Sequence, residues 1–325
     1  MNAIEMNNLS KNFGSIKAVA SINLEIREGE IFGLLGPNGA GKTTTISMLA
    51  TIVNPTSGSA TVNGFDLKKQ DDVRRSIGIV FQDPSLDDEL TGWENLDFHG
   101  RLYHMKKSER DARIKEVLGL VELSERADSL VKTYSGGMRR RLEIARGLMH
   151  RPKILFLDEP TLGLDPQTRR KIWEYVQSMN RQERTTIVLT THYMEEADYL
   201  CNRIAIIDNG KIIALDTPYE LKNMLGGDII VLEVSDTEKM KTLVSDMQPV
   251  VVDGKINITA KEGDKLIPKL IETASANGVS VVSANIHKPT LEDVFIHYTG
   301  RKIREEETGD KERFKDMLKQ HGRWR

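Results

Sequence analysis

Gly36-Pro37-Asn38-Gly39-Ala40-Gly41-Lys42-Thr43 fits the pattern G-x-x-x-x-G-K-[ST] and sits between a short apolar run, Ile31 to Leu35, and a helix-like stretch, Thr44 to Ala50. Strand, glycine-rich loop and helix in that order make a phosphate-binding loop. The glycines let the backbone curl until successive N–H groups face an anion, and the helix N-terminus adds the positive end of its dipole. Lys42 is expected to reach the β and γ phosphates and the Thr43 hydroxyl to ligate Mg²⁺, so the predicted nucleotide contacts run from Gly36 through Thr44. A nucleotide with its Mg²⁺ is the ligand this implies.

Three further apolar runs, Ile154 to Leu157, Thr186 to Leu189 and Ile204 to Ile207, alternate with helix-like segments. Continuous apolar strands suit a mostly parallel sheet covered on both faces, which predicts an α/β domain. The first of them ends in Asp158-Glu159. An acid at the end of a strand, downstream of a phosphate loop, places a carboxylate beside the metal, and Asp158 is the metal-side candidate. Glu159 falls on the other side of the strand or in the turn after it, where it can polarise a water for in-line attack on the γ phosphate.

Outside these motifs, composition mainly excludes. The 325 residues are 39% hydrophobic and 29% charged, the profile of a globular chain of about two domains. A net charge of −2 supplies no global field to draw in nucleic acid or an anionic membrane. The single cysteine, Cys201, forms no intrachain disulfide and reads as a small buried hydrophobe, in keeping with a reducing compartment. No apolar run is long enough for a membrane helix, and Met1 to Ser10 lacks the pattern of a signal peptide, so a cytosolic chain is expected.

Tyr134-Ser135-Gly136-Gly137-Met138 precedes a basic helical stretch, Arg139 to Arg146, and lies upstream of Asp158. Here the chain resembles the ATP-binding cassette family, whose signature sequence has Leu, Ser, Gly, Gly and Gln in this order. Tyr134 and Met138 depart from that pattern, but Ser135, Gly136 and Gly137 keep the hydroxyl and amides that would face phosphate at a helix N-terminus. The resemblance extends, in order, across residues 1 to about 220. Phe13 resembles the aromatic that stacks on adenine, and Gln82 the glutamine that senses metal and attacking water. Asp165, after Leu164, resembles the loop that crosses between subunits, although Leu162-Gly163 stands where Ser-Ala is usual. His192 resembles the switch histidine at the γ phosphate. Arg139 to Arg141 read as a solvated helix face, or as charge near a bound nucleotide.

What the resemblance implies is a P-loop NTPase with a RecA-like core, a small antiparallel β portion near the N-terminus and a helical subdomain at about residues 87–150, the whole nucleotide-binding domain spanning 1–226. Beyond Gly226-Gly227 the pattern resets to β-α-β-β-α-β over residues 227–300, which predicts a small α+β domain of ferredoxin-like order with a hairpin at Asp253-Gly254. Residues 301–325 form a charged tail in which Phe314, Met317 and Leu318 have helical spacing. Pro289-Thr290-Leu291-Glu292-Asp293-Val294-Phe295 resembles the daunorubicin-resistance type of drug exporter, whose ATPase is encoded apart from its permease. The resemblance therefore implies an ATPase at the cytoplasmic face of the cell membrane, with an integral-membrane permease subunit and a second copy of itself as partners. A soluble family member acting on nucleic acid or ribosomes is the alternative; such proteins usually carry two cassettes or a long coiled-coil insertion, and this chain has neither.

Overall fold

The computed structural model describes residues 1–83 and 85–302; the helical spacing at Phe314, Met317 and Leu318 lies outside them. The chain divides into two compact units, the first covering Met1–Ile212 and the second beginning at Ile213.

A six-stranded sheet runs in the order β10 (Lys211–Asp216), β9 (Arg203–Asp208), β3 (Ile31–Leu35), β8 (Thr186–Thr191), β7 (Ile154–Asp158), β6 (Ile77–Val80); β9 to β6 form the centre of the first unit, and β10 carries the chain across the division at Ile213. The ladders β9–β3, β3–β8, β8–β7 and β7–β6 are all parallel. Every residue of β3, β7 and β8 is buried, which is why these strands read as unbroken apolar runs. Parallel strands need crossovers, and α1 (Lys42–Leu49), α6 (Pro166–Glu183) and α7 (Met194–Leu200) lie in these connections. A second sheet, β2 (Ile16–Arg27), β1 (Asn2–Phe13), β4 (Ser57–Val62), β5 (Phe65–Asp66), is the antiparallel portion, and α2 (Gln70–Ser76) leads from it to β6.

The helical part contains α3 (Gly92–Leu102), α4 (Lys107–Leu120) and α5 (Gly136–Gly147). A capping box between Thr91 and Glu94 starts α3. Arg113 on α4 is 1% exposed, donates to Leu148 O at 2.8 Å and pairs with Glu183 at 2.9 Å, a buried charge satisfied from two directions. Tyr103 stacks on His150 at 3.8 Å between centroids, and His99 lies tilted against both rings. Burial, reinforced by the charges of Arg146 and His150, pushes His99 down to about 3.

In the second unit α8 (Pro218–Asn223), capped by Thr217, packs against α11 (Leu291–Thr299), capped by Thr290. The unit therefore starts ahead of Gly226-Gly227, and that glycine pair is a turn within it. From there the order is β11 (Asp228–Val234), α9 (Thr237–Leu243), β12 (Val250–Val252), β13 (Lys255–Ala260), α10 (Gly263–Ala276), β14 (Val281–His287). The sheet order β12-β13-β11-β14 with antiparallel neighbours is the ferredoxin-like split βαβ arrangement. Ile230, Leu232, Ile256 and Ile258 face Met240, Leu270 and Ala274 from the helices in a core of its own.

His99 yields a pH prediction. A histidine held neutral when folded, with an ordinary value of 6.5 when unfolded, contributes stability that is complete above 6.5 and is lost as pH falls toward 3. Replacing it by His99→Gln should flatten the urea-unfolding stability profile across that window by about 1.4 kcal/mol per pH unit, the slope of one proton. Equal slopes in wild type and variant would show that His99 takes up its proton as readily folded as unfolded.

Candidate nucleotide site

The loop between β3 and α1 is held open by backbone geometry. Gly41 has φ +104°, and a Cβ there would lie 2.4 Å from Ala18 O, so only glycine fits. Gly36 N donates to Thr191 O at 3.2 Å, tying the loop to the end of β8. α1 begins at Gly41, at the end of the phosphate loop, and like α2, α4, α7 and α10 it has no side-chain cap. Its first amides are thus left for an external anion. Lys42, 4% exposed, curls back onto the loop: Nζ donates to Gly36 O at 2.8 Å and Pro37 O at 3.1 Å and lies 3.3 Å from Glu159 Oε1.

The carboxyl ends of β7 and β8 supply the other side. Thr43 Oγ1 donates to Asp158 Oδ1 at 3.1 Å, and the Thr190 hydroxyl donates to the same oxygen. Burial raises the Asp158 carboxyl above its ordinary value despite these donors and Lys42. Glu159 leaves the strand in the left-handed region at φ +47°, its N–H donating to Thr190 O at 3.2 Å and lying 3.0 Å from Thr190 Oγ1. His192 Nδ1 is 3.3 Å from Glu159 Oε1. Burial pushes Glu159 upward, but His192 and the Lys42 charge outweigh it and hold the carboxyl below its usual range. Burial likewise lowers Lys42, only partly offset by Glu159.

Lys42, Thr43, Asp158, Glu159 and His192 thus form one cluster. Gln82 is half-buried just past β6. Phe13, at the end of β1, is half-exposed with the Lys11 ammonium 5.0 Å over its ring. Ser135 is exposed and caps α5 through Met138 N, and a Cβ on Gly137 would meet Thr168, so the signature lies against the segment that follows Asp165. Asp165 caps α6, accepting from Gln167 N and Thr168 N. Among the described residues, neither Ser135, Phe13 nor Asp165 hydrogen-bonds to the cluster.

Of the arginine run, only Arg140 leaves the solvated face, while Arg139 and Arg141 stay partly exposed. Arg139 pairs with Asp88 at 2.8 Å, Arg141 donates to Val121 O and the Tyr175 hydroxyl, and Arg140 is buried against main-chain carbonyls. Sequence alone also gave no sign of Thr190, which clamps both carboxylate residues, or of Glu196, a fully buried carboxyl accepting from Thr161 and Trp173 Nε1. Cys201 is buried, as expected, with Sγ close to where a Cβ on Gly33 would sit.

Residues 19–162 match the ABC transporter family model, and residues 217–299 match the C-terminal domain of DrrA1-3-like ATP-binding proteins. The linearmycin resistance ATP-binding protein LnrL of Bacillus subtilis (strain 168) is 41% identical over 93% of this chain and 100% of its own length. The chain belongs to the ATP-binding subunits of ABC transporters. Daunorubicin resistance ATP-binding protein DrrA2 of Streptomyces coeruleorubidus is 40% identical to this ABC ATPase, over 92% of the chain and 96% of the relative. Among solved structures, cbiO1 of Clostridium perfringens, part of the ABC transporter complex cbiONQ, has a TM-score of 0.65 at 28% identity over 69% of this chain and 93% of its own. The cassette MJ0796, in a dimeric post-hydrolysis state bound to ADP and Pi, has a TM-score of 0.59 at 30% identity over 66% and 98%. ATP is the nucleotide this ATPase binds and hydrolyses.

A buried carboxyl whose folded pKa is raised costs stability wherever it is ionised; the cost is absent below its unfolded range and complete above its folded one. Asp158→Asn, which keeps the Oδ1 acceptor, should therefore raise the melting midpoint of the nucleotide-free ATPase at pH 7, the gain shrinking on acidification. A lower midpoint at pH 7 would show that the charge is stabilising.

Proposed function

We propose that this ATPase drives a separate integral-membrane permease, at the cytoplasmic face of the membrane, that exports drugs or other hydrophobic compounds, and that two copies close head to tail on two ATP molecules. The observation that carries the dimer is the separation within one chain: the phosphate loop, both carboxylates and His192 converge, while Ser135 stands exposed at the start of α5 with no hydrogen bond to them among the described residues. A second copy presenting its own Ser135 completes the phosphate site. The dimeric MJ0796 cassette supports this arrangement, and the resistance ATP-binding proteins support the export of hydrophobic compounds. No helix among the described residues is long and apolar enough to cross a membrane, so translocation is assigned to a partner chain.

Nucleotide phosphates would displace Lys42 Nζ from the carbonyls of Gly36 and Pro37 and take the free amides of Lys42 to Thr44. The adjacent Thr43 hydroxyl and Asp158 carboxylate offer the hard oxygen donors that Mg²⁺ takes, with Gln82 as a further ligand. Bound there, Mg²⁺ would neutralise charge developing on the β and γ phosphate oxygens. Glu159, with Lys42 moved onto phosphate, accepts a proton from the attacking water, and His192 orients it and contacts the γ phosphate. Phe13 stacks on the adenine, and Asp165 fixes the loop that meets the partner. ATP favours the closed pair because the γ phosphate binds both surfaces, and hydrolysis removes that difference in affinity.

Glu159→Gln should leave ATP binding within about twofold, lower steady-state turnover by about a hundredfold or more, and accumulate an ATP-dependent dimer in sedimentation. Undiminished hydrolysis would remove Glu159 from the role of base.

A further inference from the structure

Arg140 lies one turn into α5, five residues beyond Ser135, and is 8% exposed. All five of its N–H donors have partners in the same chain. Nε donates to Pro160 O at 2.8 Å; one terminal nitrogen donates to Phe81 O at 2.6 Å and Glu143 Oε2 at 2.9 Å; the other donates to Asp158 O at 3.0 Å and Glu159 O at 3.3 Å. Glu143, 3% exposed, uses its second oxygen to accept from Ser85 N at 3.0 Å. One buried ion pair therefore joins three segments: the helix capped by Ser135, the residues on either side of Gln82, and the turn that carries Asp158 and Glu159.

We infer that Arg140, held by Glu143, is a positioning residue that couples the signature helix to the catalytic turn of its own chain, so that each chain links the two nucleotide sites of the dimer. The inference rests on the head-to-tail arrangement proposed above. In that arrangement the Ser135 helix of one chain serves one site while its Glu159 serves the other, and Arg140 is the side chain that touches both elements. Glu159 occupies a sparsely populated backbone conformation. Thr190 holds its N–H and Arg140 its carbonyl, so the direction of the Glu159 carboxylate depends on where α5 stands. A planar fork with five donors can serve four diverging carbonyls and a carboxylate at once, whereas a lysine, donating from a single nitrogen, cannot. Stability alone is a weak reason for such a pair, because desolvation offsets much of the attraction in a buried ion pair.

The test compares wild type, Arg140→Lys and Glu143→Gln as full-length chains, measuring melting, Mg²⁺-free ATP binding and hydrolysis across ATP concentration. Arg140→Lys should fold and bind ATP within about twofold of wild type, while kcat falls about tenfold to a hundredfold and the Hill coefficient drops from its wild-type value toward 1. Glu143→Gln keeps the volume and the acceptor for Ser85 N; it should shift the Hill coefficient the same way and stands in if Arg140→Lys does not fold. A merely structural role would lower the melting midpoint and scale kcat with the folded fraction, leaving the Hill coefficient unmoved, and that result overturns the inference. If Glu159→Gln with Arg140 intact forms no ATP-dependent dimer, the head-to-tail arrangement itself fails and the coupling with it.

Discussion

Two consecutive carboxylates, Asp158 and Glu159, are buried beside a single ammonium, Lys42, and the rest of the nucleotide site is arranged around that electrostatic problem. Neither acid could stay in so dry a place unaided. Asp158 is held by the hydroxyls of Thr43 and Thr190 and still has its carboxyl raised by burial; Glu159, turned the other way by its left-handed backbone, is lowered by His192 and Lys42. Adjacent residues thus acquire opposite shifts, the situation that separates a metal-side carboxylate from a proton acceptor. Lys42 is tied to the same balance, because moving its charge onto phosphate removes one of the influences that keep Glu159 low.

The fold serves this cluster by bringing the carboxyl ends of three parallel strands together. β3 ends in the phosphate loop, β7 in the two acids and β8 in Thr190, Thr191 and then His192. Since all three strands are buried on both faces, the register of one fixes that of its neighbours: Asp158 pairs with Thr190, and Leu35 with Thr191. The helical part is attached to the same point through Arg140 and Glu143, not through a surface contact.

Most of this was legible in the sequence, for identifiable reasons. The phosphate loop is a local pattern in which each residue has a backbone or charge role, and the buried strands β3, β7 and β8 declare themselves as apolar runs. Asp253-Gly254 marks its hairpin by turn chemistry, with φ positive at both residues. His192 carries no local signal and was found only through order and spacing. Arg140 was misread because its partners, Phe81, Asp158, Glu159 and Pro160, are distant in the chain, and nothing in a basic helical run says which arginine turns inward. The start of the second unit at Ile213 was invisible for a similar reason: α8 belongs there by packing on α11, a contact between segments about seventy residues apart.

The claim that a nucleotide site is completed by a second copy is tested most directly by mixing two defective chains. In a Glu159→Gln background, so that ATP-bound dimers accumulate, Lys42→Ala and Ser135→Arg should each abolish the homodimer. A mixed pair places both defects in one site and leaves the other with an intact loop and an intact signature. Co-purification of two differently tagged variants should therefore reappear on adding ATP and Mg²⁺. If each site were instead built within one chain, neither variant could supply what the other lacks, and folded, mixed protein that shows no ATP-dependent co-purification would contradict the account.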